Sequence, residues 1–473
     1  MKAFRLGEPF EIWGNWWLPG AADRNVPGKL TSHLGNLELK LLGHFDGIDY
    51  NQRNLVVPVI HGVGDTKEFT IWRAVQETPS ARFPGGIEQT FHKLRVVVGA
   101  HMGREADERF SGVAFDAAQI GPWMVKQPVK RSVSIEDSRG LKTTHEINAD
   151  RTDSFGPTAD GITYLFGSNV ETKTEDYLSY GFETQPGVHM DFSDVKTCAE
   201  SMDRVERTAE LLSLLVGEHV EPQAIRLYGR EEKSGFNLLY EFRPPSARKL
   251  MRAAEVLAPL PNIRGIFPAV LDAWDRERPR MRDVVSLLLD AIDRDAPQTH
   301  LRMLLLAQAL EAFHRNVVGG AYMSPNDYES VRQALTAAIP AQVEKDHRNA
   351  LTSRIRFGNE LSLRTRLKQL VNSLADDSLT QLGIDGKTFV GEAVDARNDY
   401  THWVLEREQN RPDGAPLGNL VSNLLAIAQL VVLKHLGVAE ELVVDQMKKF
   451  SWRYLRRYQA IVEPEEGAER PES

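Results

Sequence analysis

Near residue 246 the chain changes texture, and no single layer of secondary structure accommodates both halves. Before that point, short β-branched or aromatic runs, LELKLLGHFDG (37–47), EFTIWRAVQE (68–77), LRVVVGA (94–100) and GITYLFGS (161–168), are separated by Gly, Pro, Asn and Asp. This spacing predicts short strands joined by turns, the pattern of a β sandwich or barrel. After it Ala, Leu, Arg and Glu dominate, glycines thin out, and apolar residues recur at helical spacing. At 473 residues the chain exceeds one core of ordinary size, so two or three domains are expected. The expected fold class is multidomain α+β: an all-β, sandwich or barrel-like domain over 1–245, a helical connector over 246–299, an all-α helical bundle over 300–460, and a disordered acidic tail over 461–473.

Within the second half, SARKLMRAAEVL (246–257) and MRDVVSLLLDAI (281–292) read as the connector, and six amphipathic runs between 300 and 437 supply the bundle. Local chemistry marks two helix ends. Ser324 stands at an N-cap position with Pro325 at the first helical position and Asp327 in the first turn. Gly437 follows the last run, as a residue in the left-handed region often does.

Composition narrows the setting. The single cysteine, Cys198, excludes an intramolecular disulfide framework and a multi-cysteine zinc site, which points to a reducing compartment, so the expected localisation is cytoplasmic. The start MKAFRLGEPFEIWGNWWLPG lacks the apolar stretch of a secretion signal, and LVSNLLAIAQLVVL (420–433) is too short and too polar to span a bilayer, so no membrane is expected. A net charge of −9 argues against a uniform nucleic-acid coat but leaves room for local basic surfaces. The aromatic group Phe10, Trp13, Trp16 and Trp17 suits either a stacking surface or the inward face of a sheet, and strand spacing favours packing.

Most catalytic signatures are missing. DGKT (385–388) lacks the first glycine of a phosphate-binding loop, where Gln381 stands instead. Metalloprotease, nucleophile-elbow and dinucleotide patterns do not occur. What remains is DARNDYTHWVLE (395–406). An Arg followed by a His after four to six residues is a weak pattern, and Arg95 with His101, Arg139 with His145 and Arg294 with His300 satisfy it too. Only Arg397 and His402 add Asn398 directly after the Arg and a place on a late bundle helix. At about 100° per residue, Asn398 and His402 share one helix face, whereas Arg397 and His402 are offset by roughly 140°. A long Arg side chain curling to a phosphate, or a second copy of the chain, would complete such a site. The competing local role is structural, with Arg397 paired to Asp395 or Asp399 and His402 packing.

Arg397-Asn398-Asp399-Tyr400-Thr401-His402 resembles the R-N-x-x-x-H motif of the HEPN superfamily, helical bundles that often act as ribonucleases. FEIWGNWWLPG…GKL…GNLELKLLGHF (10–45) and RFSGVAFDAAQIGPW (109–123) resemble the N-terminal domain of ApeA-type proteins, in which a β domain precedes an Apea-like HEPN domain. The resemblance covers most of the chain. It implies an anti-phage, abortive-infection protein whose endoribonuclease needs neither metal nor cofactor, with RNA as substrate, a homodimer or higher homo-oligomer as its state, and a phage-derived trigger. In such a site His402 would do general acid/base work, Arg397 would stabilise charge on phosphorus, and Asn398 would orient the imidazole or donate to a non-bridging oxygen.

Further candidates surround this motif. Glu311, in LAQALEAFHR, would hold Arg397 from the facing helix or else pair with Arg315 one turn on. Residues 345–368 carry seven Lys or Arg against two acidic residues, so Arg354, Arg356, Arg364, Arg366 and Lys368 are candidate contacts to the RNA backbone, a solvated face being the plain alternative. KKFSWRYLRRY (448–458) interleaves aromatic and basic residues and suits base stacking or core packing. The β domain is expected to restrain the nuclease. The alternative function is a non-catalytic dimerisation or ligand-binding module with a structural Arg-His pair, and nucleotide transfer, the third, lacks its paired carboxylates.

Overall fold

The computed structural model describes residues 4–48, 52–77, 80–81, 87–126, 129–136, 140–147, 152–174, 180–230, 235–242, 251–292, 298–402 and 411–449. The chain divides into two compact units, Met1–Asp272 and Ala273–Ser473. The expected tail over 461–473 and most of KKFSWRYLRRY lie outside the described residues.

The first unit is β-rich. Its strands are β1 (Phe10–Trp17), β2 (Val26–His33), β3 (Asn36–Leu42), β4 (Val56–Gly64), β5 (Lys67–Gln76), β6 (Ser80–Ala81), β7 (Ile87–His92), β8 (Arg95–Val98), β9 (Phe110–Asp116), β10 (Val129–Glu136), β11 (Gly140–Ile147), β12 (Asp153–Phe155), β13 (Ile162–Thr174), β14 (Tyr180–Lys196), β15 (Ala224–Tyr228) and β16 (Phe236–Tyr240). Apart from the β10–β11 hairpin they form one sheet in the order β12-β13-β14-β9-β15-β16-β8-β5-β4-β1-β2-β3-β7-β6. Strand β5 also pairs with β7, through Val75 opposite His92 and Gln76 opposite Phe91. That extra pairing closes β5-β4-β1-β2-β3-β7 into a six-stranded barrel, which removes its edges. Alternation puts Leu30, Leu39, Leu41, Ile60, Phe69 and Ile71 inside. Each such side chain contributes about 1.5–3 kcal/mol by burial.

The aromatic group of β1 splits by the same period. Trp16 is fully buried and Trp13 is 54 % exposed, with the Lys29 ammonium over its ring. Room for Trp16 comes from Gly62 on the neighbouring strand, where a Cβ would stand 2.2 Å from the indole.

One long helix interrupts the β pattern. α1 (Ile120–Met124) is a short turn, but α2 (Cys198–Val216) runs 19 residues. Thr197 Oγ1 accepts from the Glu200 amide at 3.2 Å, Glu200 Oε2 accepts from the Thr197 amide at 2.8 Å, and Gly217 ends the helix at φ +81°. These two reciprocal bonds satisfy otherwise orphaned donors. Leu211, Leu212 and Leu215 are buried, and Thr208 meets Met190 of β14. Further on are α3 (Leu260–Ile263) and α4 (Phe267–Ile292), within which the division between units falls. The helix expected over 246–257 is, in its described residues, a single 3-10 turn at Ala253–Glu255.

The second unit is helical: α5 (Thr299–Phe313), α6 (Pro325–Ala337), α7 (Lys345–Arg356), α8 (Leu363–Asn372), α9 (Asp376–Gln381), α10 (Gly386–His402), α11 (Gly414–His435) and α12 (Glu440–Lys449). Ser324 Oγ accepts from the Asp327 amide at 3.2 Å ahead of Pro325, and Gly437 sits at φ +90° while the Val438 amide donates to Leu433 O. α11 is long and apolar enough to cross a membrane, but 78 % of its most apolar stretch is buried inside the protein. It is the central core helix, packed along α5 and against α10.

Candidate active site

α10 carries the Arg-Asn-His motif at its C-terminal end. It forms because Phe389, Val390, Ala393, Val394, Ala396 and Tyr400 recur at helical spacing and bury against α8, α5 and α11. Its last turn is held from both sides. The Thr401 hydroxyl donates to Arg397 O at 2.6 Å, and the Tyr400 hydroxyl donates to Pro412 O at 2.6 Å. The Tyr400 ring stacks on His300 at 5.4 Å and lies under the Arg411 guanidinium. Burial pushes the Tyr400 phenol above its ordinary range, with the Asp413 carboxylate adding to the shift.

On this helix Arg397 and Asn398 are half-buried and His402 is exposed. The Arg397 guanidinium donates to Asn398 Oδ1 at 3.3 Å, while His402 makes no hydrogen bond or ion pair among the described residues. Asn398 and His402 therefore share the outward face and Arg397 flanks the buried one. The exposed imidazole is free to meet a ligand, and the guanidinium is oriented by its neighbour amide.

Glu311 does not reach Arg397. Its carboxylate accepts from Arg315 at 3.1 Å, and Arg315 also meets Glu360 at 3.3 Å. Of the basic candidates, Arg354, Arg356, Arg364 and Lys368 are exposed. Arg364 is held beside α10 by Asp395 at 3.1 Å, which places it next to the motif.

Arg366 corrects the expectation of a surface contact. It is 2 % exposed, donates from Nε to Leu361 O at 3.0 Å, and approaches His314 Nδ1 with Nη1 at 3.1 Å. His314, wholly buried, opens a five-residue π-helical turn at His314–Val318 and meets Gln369 Oε1 with Nε2 at 2.6 Å. Because Arg366 is only a donor, Nδ1 accepts and Nε2–H donates, which fixes a neutral tautomer. Burial first, and then the Arg366 charge, holds the His314 pKa below its ordinary value, against the pull of Gln369. The one sequence signal for this buried cluster is that Leu363, Arg366, Leu367 and Leu370 stand at core-facing spacing.

Two family models match the chain. The model for ApeA N-terminal domain 1 covers residues 11–274, and the model for an Apea-like HEPN domain covers residues 304–442. No curated protein and no solved structure matches it.

Proposed function

The chain belongs to the family in which ApeA N-terminal domain 1 precedes an Apea-like HEPN domain, and we propose that it is a cytoplasmic, metal-independent endoribonuclease acting in phage defence. The observation that carries this reading is the HEPN-type Arg397-Asn398-x-x-x-His402 motif on a braced bundle helix, with its imidazole exposed and without a partner among the described residues. RNA brings its own nucleophile, so the protein must move one proton and stabilise charge. His402 accepts the 2′-OH proton as that oxygen attacks phosphorus, Arg397 holds the non-bridging oxygens, and the proton passes to the departing 5′-oxygen. The P–O5′ bond breaks, leaving a 2′,3′-cyclic phosphate and a 5′-hydroxyl.

The angular offset between Arg397 and His402 supports a homodimer in which His402 of a second copy faces Arg397. Exposed Arg354, Arg356, Arg364 and Lys368 would follow the RNA backbone. The N-terminal domain restrains the nuclease until a phage-derived trigger relieves it; toxicity unchanged by removal of residues 1–245 would argue against restraint.

The test expresses wild type and His402→Ala in a bacterial host under phage challenge, with RNA ends mapped. Protection and cyclic-phosphate fragments from wild type alone support the reading. Equal behaviour of two equally folded proteins makes His402 structural and leaves a non-catalytic module, a role that the same offset also suits.

A further inference from the structure

The outer face of β13, β14, β9 and β15 holds a concavity of ≈ 330 Å³ that the ribonuclease reading does not use. Cross-strand register builds it. Gly167 stands opposite Gly187 and Gly187 opposite Asp116; two residues along, Leu165, His189, Ala114 and Arg226 form the next row. These residues share one sheet face because side chains alternate along a strand. Two glycines and an alanine make a low floor, and a Cβ on Gly187 would stand 2.7 Å from Asp116 Oδ1. The other face of the same strands packs the core through Phe166, Met190 and Phe115, so the concavity lies over a rigid base.

Its charges are already matched. Arg226 Nη2 donates to Asp116 Oδ1 at 2.6 Å, nearby Arg5 is paired with Glu183 at 2.9 Å, and His189 meets Asp191 at 2.8 Å. What is left over is hydrogen-bonding capacity. Arg226 Nε is buried without an acceptor among the described residues. Gln185 lines the concavity at 9 % exposure, and its carboxamide has no hydrogen-bond partner among the described residues. Asn169 stands directly opposite Gln185 in register, so two carboxamides lie side by side. Two rows along the strands from this pair, beyond Gly187, the Tyr228 and His189 rings meet edge to face at 4.4 Å.

Among the described residues a polyanion would find no uncompensated cation here, and an apolar molecule would bury amides with nothing to bond. Paired carboxamides, each donor and acceptor, match the edge of a planar heterocycle, as Asn and Gln match adenine in a DNA groove. The volume is at the lower end of small-molecule sites, roughly 300–1,000 Å³, which admits one base with or without its sugar. We infer that this concavity binds an uncharged nucleobase or nucleoside, read by Gln185 and Asn169 at one end and laid over the Gly167–Gly187 floor toward the Tyr228–His189 pair at the other.

The inference does not rest on RNA cleavage, and calorimetry on the full chain tests it. Adenosine, guanosine, cytidine and uridine are titrated beside glucose, glutamine and adenosine 5′-monophosphate. At least one nucleoside binds, more tightly than the monophosphate. Asn169→Ala, Gln185→Ala and Gly167→Ala each weaken binding about tenfold or more, with unchanged thermal midpoints. In Gly167→Ala the new methyl meets Thr152 at an ordinary 3.6 Å and fills the floor. His402→Ala leaves binding intact, which separates this site from the nuclease. Asn169 is exposed, so its variant stays informative if Gln185→Ala misfolds. No nucleoside binding at millimolar concentration, binding that survives both Gly167→Ala and Asn169→Ala, or preference for glucose or glutamine overturns the inference.

Discussion

Arg366 presents Nη1 to Nδ1 of His314 at 3.1 Å inside the helical unit, and both side chains are buried. A guanidinium beside an imidazole forbids the second charge, so the fold holds His314 neutral. Its pKa lies below the ordinary 6.5 through burial and then Arg366. A depressed folded pKa means that the unfolded chain binds the proton more readily as pH falls. The stabilisation is therefore full above pH 6.5 and is lost as pH falls through the folded value. Chemical unfolding of the full chain at pH 7.5 and 5.5 should show a loss on acidification that His314→Phe reduces. An identical pH difference in wild type and variant would rule out His314 as its source.

The basic residues of 345–368 should separate into two classes. Arg354, Arg356 and Lys368 are exposed, so replacing them with Ala leaves the thermal midpoint in place, weakens RNA binding and flattens its salt dependence by about one unit of slope per phosphate contact. Arg366→Ala strips donors from His314 and Leu361 O in a buried site. It costs about 2 kcal/mol or more of stability. A salt titration and a melting curve on each variant distinguish the classes, and a stable Arg366→Ala with impaired RNA binding would reverse the assignment.

In the barrel, Gly62 and Trp16 are a steric pair. The indole is wholly buried and its ring atoms come within 2.2 Å of where a Cβ on Gly62 would stand. Gly62→Ala therefore forces Trp16 or the strand to move, at about 3 kcal/mol or more, the upper range of overpacking. Denaturant unfolding reports this, and Trp16→Phe in the same chain should recover part of the loss. A fully stable single variant would show that the barrel wall yields.

What was legible in the sequence was chiefly local. The Ser324-Pro325 start and the Gly437 stop follow from capping chemistry within four residues, and the 140° offset of Arg397 and His402 follows from helix arithmetic. The α2 start was equally local, since Thr197-Cys198-Ala199-Glu200 is a capping box, but it lay in a region read as strands throughout. Arg366 was misplaced because a charge run identifies basic residues without fixing which of them the helix turns inward. The closure of β5 on β7, and the rows that bring Asp116, Gln185 and Arg226 to one face, depend on contacts across 15 to 110 residues. No short-range pattern encodes those.

The offset of Arg397 and His402 carries the last prediction. Arg397 flanks the buried side of α10, bonded to Asn398, while His402 points outward from the same helix. If the working pair is Arg397 of one copy and His402 of another, a two-fold dimer holds two composite sites. Alone, Arg397→Ala should lower cleavage by about 10²–10³-fold and His402→Ala by about 10²–10⁴-fold. A mixed dimer, with one copy of each variant, rebuilds one of its two sites, so the purified mixed species returns about half of wild-type activity. The experiment co-expresses differently tagged variants, purifies the mixed species and measures cyclic-phosphate release. Recovery that appears only on mixing requires residues from two copies. No recovery, with dimers present, means that Arg397 and His402 act within one chain, by the long guanidinium swinging about the helix to a phosphate held at the imidazole.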